Sequence, residues 1–334
     1  MAKISFLIRR ALRMDWKAMW KTAGMLQKKT GKSRFSLICD MAGCAKKYGA
    51  GYVDYKIAEM YRLNDTQRDT VITRGISNGI VSRMNDKAFW HFFDNKCEFN
   101  QLFHDHVKRG WLDFTKTTEE EFAAFLQGRG DIICKPIDGS SGRGIEKHTP
   151  EEYADPKKLY QELKERGIGI IEDRVIQHDA ISALCPTSVN TIRVATLLGD
   201  KKEGIVYAYI RIGNGKVMDN VDCGGMAAPI DLETGIISGP GADKSGNVFE
   251  KHPMTGHEIR GTQIPYWKEV RELCLSAMHV VPQVRFVAWD VAITPDGPVF
   301  IEGNSFPSHA IPQFAAHFPD GIGILPRFRE FIDV

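Results

Sequence analysis

The sequence predicts an α+β fold with a helical N-terminal region, and three observations carry that expectation. Up to residue 127, apolar side chains recur at spacings of three and four around 55–62, 85–93, 97–109 and 119–127, the period of helices with one buried face. After Gly128 short apolar runs take over, bounded by Gly, Pro and Asp, at 132–134, 168–171, 191–198, 205–212, 286–293 and 299–301. These read as strands. Helical patterns interrupt them near 156–166 and 265–278, and residues 217–250, rich in Gly and polar side chains, read as a strand with long loops. The result is an α+β body with mostly antiparallel strands.

A chain of 334 residues has room for about two domains and can bury a core without staples. Its 43% apolar, 26% charged and 10% aromatic content excludes a disordered or fibrous chain. A formal net charge of +2 does not suggest a nucleic-acid binder. No apolar run approaches the ~18–20 residues of a membrane span. The apolar stretch at 4–8 runs straight into Arg9 and Arg10, unlike a secretory signal. Cys39, Cys44, Cys97, Cys134, Cys185, Cys223 and Cys274 are scattered and never in C-x-x-C spacing, which argues against a zinc site or a disulfide framework. A cytoplasmic globular protein is the expectation.

Charge is concentrated at the start, where residues 1–34 hold ten Lys/Arg against Asp15 alone. Ile4, Leu7, Ile8, Ala11 and Met14 keep helical spacing there, with Trp16 and Trp20 one turn apart. Such a segment either packs on the body with its cationic face in water or makes peripheral contact with an anionic membrane. Packing is the favoured expectation.

Four segments carry candidate chemistry. The first, Lys135-Pro136-Ile137-Asp138-Gly139-Ser140-Ser141-Gly142-Arg143-Gly144, follows a strand; its backbone N–H groups can fold around an anion beside the charge of Lys135. It is neither a Walker A loop nor a Rossmann fingerprint, because no Gly-Lys-Ser/Thr follows and residues 146–150 do not open a helix. The second, Glu172-Asp173-Arg174-Val175-Ile176-Gln177-His178-Asp179, could present backbone groups to a flat base, although its spacing alone reads as a surface turn.

In the third, Ser188-Val189-Asn190-Thr191-Ile192-Arg193-Val194, an arginine inside an apolar strand needs an anionic partner, because guanidinium stays charged. A phosphate or oxyanion is preferred over a structural salt bridge. Arg211 ends the next strand, and Gly224-Gly225 beyond it permits close backbone approach to a ligand. The fourth is a hairpin over 286–304. If Ile293 pairs with Val299, Asp290 lies opposite Glu302, with Asn304 on the same face; if Ile293 pairs with Pro298, the two carboxylates fall on opposite faces. The first register gathers hard oxygens suited to Mg²⁺ bridging phosphates, and it answers the cost of burying Asp290 unpaired in an apolar strand.

In this order the segments resemble the ATP-grasp superfamily, and closely its branch of sugar-transfer-associated ATP-grasp proteins. Three lines carry the resemblance: Lys135-Pro136…Gly139-Ser140-Ser141-Gly142-Arg143-Gly144, Ser188-Val189-Asn190-Thr191-Ile192-Arg193-Val194, and Trp289-Asp290-Val291-Ala292…Glu302-Gly303-Asn304. It spans about residues 54–312 and implies two α+β lobes clasping ATP. The small lobe would occupy 91–171 with the glycine-rich loop, and the large lobe 172–334 with the metal site, after a helical region at 1–90. The resemblance further implies that Lys96 and Lys135 grip the nucleotide phosphates and that Ser140, Ser141, Gly142, Arg143 and Gly144 fold over them. Glu172, Asp173 and Val175 would hold adenine, and Asp179 the ribose. Asp290, Glu302 and Asn304 would bind Mg²⁺ or Mn²⁺, while Arg193, with Arg211 and Lys135, would stabilise the transferred phosphoryl group.

Two features depart from the pattern. Met218 stands where similar ribosomal-protein glutamate ligases carry a second arginine, and the helical N-terminal region does not read as the usual α/β lobe. The implied activity is a Mg·ATP-dependent ligase that activates a small-molecule carboxylate as an acyl phosphate for attack by an amine or other nucleophile. Saccharide or natural-product biosynthesis is the implied context. A small-molecule kinase of the same fold and a non-catalytic nucleotide-binding accessory of a sugar-transfer system are the alternatives. His252 and His309 flank the predicted metal site, as substrate contacts or as buried structural histidines.

Overall fold

A computed structural model describes residues 15–137, 144–215 and 219–334. The first two helices among the described residues, α1 (Trp16–Thr30) and α2 (Arg34–Tyr48), form a hairpin whose members open on side-chain caps, with Asp15 accepting from the Ala18 N–H and Ser33 from that of Ser36. Such caps satisfy donors that a helix N-terminus leaves orphaned. Met19, Ala23 and Leu26 of α1 meet Leu37, Met41 and Cys44 of α2 in a local core shared with Tyr55, Met60 and Tyr61. The expected packed helix is therefore present, but its tryptophans are not the anchor: Trp16 and Trp20 remain 53% and 56% exposed. The apolar pattern from Ile4 to Met14 lies outside the described residues.

Helical structure continues through α3 (Arg74–Met84), α4 (Lys96–Leu102) and a turn at His104–Val107. A four-stranded antiparallel sheet follows, built from β1 (Trp111–Asp113), β2 (Ile132–Lys135), β3 (Glu146–His148) and β4 (Ile170–Asp173) in the order β1-β4-β2-β3. Helices α5 (Glu119–Leu126) and α6 (Pro156–Glu165) pack Phe122, Leu126, Leu159 and Leu163 onto its Ile132 and Ile171. The three-residue strands β1 and β3 add to the predicted set; neither is long enough to show a period.

The second sheet has seven strands in the order β11-β10-β5-β6-β7-β8-β9, all antiparallel. They are β5 (Ile192–Leu198), β6 (Glu203–Ile212), β7 (Met226–Pro229), β8 (Gly241–Ala242), β9 (Val248–Phe249), β10 (Phe286–Thr294) and β11 (Gly297–Asn304). Alternation along the strands divides the burial. Ile192, Val194, Trp289 and Val291 pack against Phe93, Phe99, Phe103 and helix α7 (Trp267–Ala277). Ala195, Ala288, Tyr207 and Tyr209 pack against α3 and the C-terminal Phe314, Phe328 and Phe331. None of the helices among the described residues is long and apolar enough to cross a membrane.

The β10–β11 hairpin corrects the preferred register and keeps its consequence. Ile293 pairs with Pro298, not Val299, yet Asp290 still pairs with Glu302. Between the pairs Val291–Phe300 and Asp290–Glu302 the register shifts, so that Ile301 is an extra residue without a cross-strand partner. A β-bulge of this kind changes the alternation by one. Phe300 therefore joins the aromatic layer of Trp289, and Glu302 is brought beside Asp290 on the other side.

Candidate active site

Four neighbouring strands place Glu302, Asp290, Arg193 and Tyr209 side by side. Arg193 grips Asp290 through Nε and Nη2, the latter at 2.7 Å. Arg211, near the end of β6, donates from Nη2 to Asp290 Oδ2 at 2.8 Å and to Thr191 Oγ1 at 2.6 Å. Its Nε lies 3.3 Å from Asp219, which also accepts from the Thr191 N–H at 2.9 Å. The demand that an arginine in an apolar strand find an anion is met by Asp290, a protein carboxylate.

Electrostatics separates the two acids of this row. Burial pushes the Asp290 carboxyl up, but Arg193 and Arg211 outweigh it and leave the group below the usual carboxylate range. Glu302 moves the other way, pushed up by burial and then by the adjacent charge of Asp290. A carboxylate held against a like charge is one that a divalent cation would relieve.

A cavity of about 650 Å³ lies beside β11, a size suited to a small-molecule ligand. Lys96, Lys135 and Glu172 line it together with Glu302 and Asn304, and Trp90 and Phe306 are among its walls. Glu172 is buried and accepts from Lys135 Nζ, from Arg109 Nη2 at 2.6 Å and from Asn100 Nδ2 at 2.7 Å. Burial pushes its carboxyl up, and Arg109 and Lys135 together drive it far below the usual range. Arg109 also donates to the carbonyls of Phe300 and Ile301 on the outer edge of β11, so one guanidinium joins the two sheets.

The structure thus divides the predicted site. Lys96, Lys135, Glu172, Glu302 and Asn304 come together at the cavity, whereas Asp290 is not on its lining and both of its oxygens are engaged by arginines. Among the described residues no group of three or more His, Cys, Asp or Glu side chains is arranged to hold a metal. Glu302 and Asn304 nevertheless supply two hard oxygens, since Asn304 turns its amide nitrogen to the Ala288 carbonyl at 3.3 Å. That pair fits Mg²⁺, which keeps several of its own waters.

The expected adenine segment is used differently. Glu172 belongs to β4, and the Asp173 carboxylate is taken by Arg129 at 2.6 Å and by the Gly110 N–H at 2.9 Å. Val175 is half-buried, and Asp179 is exposed at the start of the short helix Asp179–Ser182; neither lines the cavity. Ser140, Ser141, Gly142, Arg143 and Met218 lie outside the described residues, and Gly144 is left-handed at φ +72°.

The Gly-Gly pair and the two histidines are placed as follows. A Cβ on Gly225 would meet the Asp219 carbonyl at 2.4 Å and that of Ile212 at 2.9 Å, so the close approach there is the chain's own. His252 is buried and donates Nε2–H to the Gly213 carbonyl at 2.8 Å. His309 sits 2.8 Å from Asp54, tying the C-terminal segment to the helical region. Each histidine thus has a protein partner, in keeping with the structural alternative.

Sequence reasoning missed Arg109, Asn100, Trp90 and Tyr209. Arg109 closes a predicted helix, where a cation is ordinary. Tyr209 Oη and Trp90 Nε1 are buried without a hydrogen-bond partner among the described residues, a property with no sequence signal. Burial pushes the thiols of Cys97 and Cys134 up to about 12, so these neighbours of the two lysines stay protonated. A second cavity, of about 430 Å³ between Glu59, Gln67, Gln313 and Phe318, contains none of the predicted site residues.

The chain was compared with known families and solved structures. The family described as sugar-transfer associated ATP-grasp matches residues 76–331. Among solved structures, the chain is similar to the ATP-grasp ligase PsnB complexed with a phosphomimetic variant of minimal precursor, Mg and ADP, at 13% identity and a TM-score of 0.39, covering 67% of this chain and 53% of that one. It is also similar to the D-alanine-D-alanine ligase from Coxiella burnetii, at 13% identity and a TM-score of 0.43, covering 72% and 57%. A third is the D-cycloserine synthetase DcsG, at 10% identity and a TM-score of 0.43, covering 77% of each chain. This chain therefore spans only a little over half the length of the first two. No curated protein matches it.

Proposed function

The chain belongs to the sugar-transfer associated ATP-grasp family, and on that premise we propose that it is a Mg·ATP-dependent ligase. It would activate a substrate carboxylate as an acyl phosphate and pass the acyl group to an amine or another nucleophile. The observation that carries this reading is the cavity that Lys96 and Lys135 line together with Glu302 and Asn304. Two ammonium groups there suit the oxygens of a polyphosphate. Glu302 and Asn304 would hold Mg²⁺, whose role when bound is to neutralise phosphate charge.

Arg193 and Arg211 stand next to Glu302 through Asp290, which fixes both guanidiniums. Cations fixed in advance stabilise charge that grows on a moving phosphoryl group and later on an oxyanion, without reorganising at the moment of reaction. Tyr209, beside Arg193, adds a hydroxyl with no hydrogen-bond partner among the described residues. This is electrostatic clamping, which needs no covalent nucleophile and agrees with protonated thiols at Cys97 and Cys134. The family's description supports a substrate drawn from sugar-transfer chemistry.

The test is a screen of pooled carboxylates against pooled amines for ADP release, with mass spectrometry of the products. A condensed product that Glu302→Gln lowers by about a hundred-fold or more supports the ligase. A stable phosphorylated product formed with no nucleophile present would make the protein a kinase of the same fold. Nucleotide binding without turnover in any pool would make it a binding accessory.

A further inference from the structure

We propose that the outer face of α1, with the start of α2, is a docking surface for an anionic lipid bilayer. The helix has two unlike faces. Met19, Thr22, Ala23 and Leu26 are buried. Opposite them stand Lys17, Lys21 and Lys28, which share one side of a helix with 3.6 residues per turn. All three are exposed, and none forms an ion pair among the described residues. Lysines nearer the body are used by the fold: Lys29 lies 2.5 Å from Glu59, and Lys32 donates to the Tyr61 carbonyl at 2.8 Å.

Large apolar side chains accompany the free lysines. Trp16 and Trp20 are more than half exposed, Met25 is exposed at 44%, and Phe35 at the start of α2 at 77%. The Arg34 guanidinium sits 4.9 Å over the Trp20 ring and holds it in place. Apolar side chains scattered singly need no explanation, but four on one helical hairpin beside a row of cations mark an interaction surface. Indole rings with a polar N–H favour the headgroup level of a membrane.

Charge and exposed apolar side chains together select the occupant. Exposed lysines alone would suit any polyanion, but Trp16, Trp20, Met25 and Phe35 beside them call for an apolar layer beneath the anionic groups. A bilayer with anionic headgroups supplies that layer and attracts each well-placed lysine. Because the inner face of α1 is committed to the fold, contact must be shallow, reversible and sensitive to salt.

The experiment is co-sedimentation of the full-length protein with vesicles of phosphatidylcholine alone or mixed with phosphatidylglycerol, at low and high salt. Binding should require phosphatidylglycerol and fall at high salt. A K17E/K21E/K28E variant should partition about a hundred-fold more weakly. A W16S/W20S variant should partition several-fold more weakly, with circular dichroism confirming that both remain folded. The proposal is overturned if wild-type protein ignores phosphatidylglycerol vesicles, or if either folded variant binds as the wild type does. It is also overturned if duplex DNA competes the protein off the vesicles at equal charge, which would reveal a general polyanion surface. None of these outcomes bears on the ligase reading.

Discussion

Glu172 carries a negative charge at a buried position on the cavity wall, and it does so because three donors converge on it. Its folded carboxyl lies far below the ordinary value of 4.5, so the stability it contributes is complete above that value. This contribution is lost as pH falls, because the unfolded chain takes up the proton first. Glu172→Gln should lower stability at neutral pH by about 3–5 kcal/mol, since Arg109 and Lys135 would lose their shared counter-ion. It should also flatten the fall in stability below pH 4.5. Urea denaturation across that range checks both, and an unchanged acid slope would assign the titration elsewhere. Glu302 has the opposite sign: its raised carboxyl is penalised for ionising, a penalty that grows as pH rises through its folded value. Glu302→Gln should leave the apo melting temperature at neutral pH unchanged or higher, and a clear drop would show that the carboxylate is structural. At this scale the sequence was legible where a charge interrupts an apolar run. It demanded partners for Arg193 and Asp290 separately, and the fold makes them each other's. It was silent on Arg109, whose chemistry comes entirely from what lies near it in space.

The β10–β11 hairpin shows how far an element can be read. Apolar alternation and the Pro/Gly turn locate both strands, but alternation admits only unbroken registers, and the true one contains Ile301 as an extra residue. Helices α2 and α3 fall within the expected helical region at 1–90 but are not located individually, because Gly43 in one, and Gly75 and Gly79 in the other, dilute their apolar faces. Tertiary burial outweighs that weak local preference. The contact between elements with the clearest energetic signature is Arg109 on Glu172. Arg109→Leu and Glu172→Gln should each destabilise, while the double variant should lose less than their sum by about 0.5–3 kcal/mol. Urea melts of the four proteins measure this coupling, and strict additivity would mean that the two side chains contribute independently.

For the whole molecule, a ligand in the cavity touches residues from both sheets and should stabilise them as one unit. Mg·ATP at a hundred times its dissociation constant should add about 2.7 kcal/mol and raise the melting temperature by several degrees. Lys135→Ala should weaken nucleotide binding by about ten-fold to a hundred-fold and shrink that rise at the same concentration. Thermal melts with and without nucleotide decide, and an equal rise in the variant would remove Lys135 from the site. The order of the motifs along the chain made this architecture legible. The join between the sheets was not legible, because Arg109 and Phe300 are 191 residues apart and no local pattern links them.

That join has a consequence for how the protein keeps apart from its own copies. Strand β11 is the outermost of seven, and a bare strand edge invites another chain to extend the sheet. Arg109 occupies the carbonyls of Phe300 and Ile301, and the bulge bends the same stretch away from a straight template. The guanidinium that binds one sheet to the other also shields that edge from aggregation. Loss of Arg109 should therefore be felt first in concentrated protein, as growing scattered light before any loss of helix or strand.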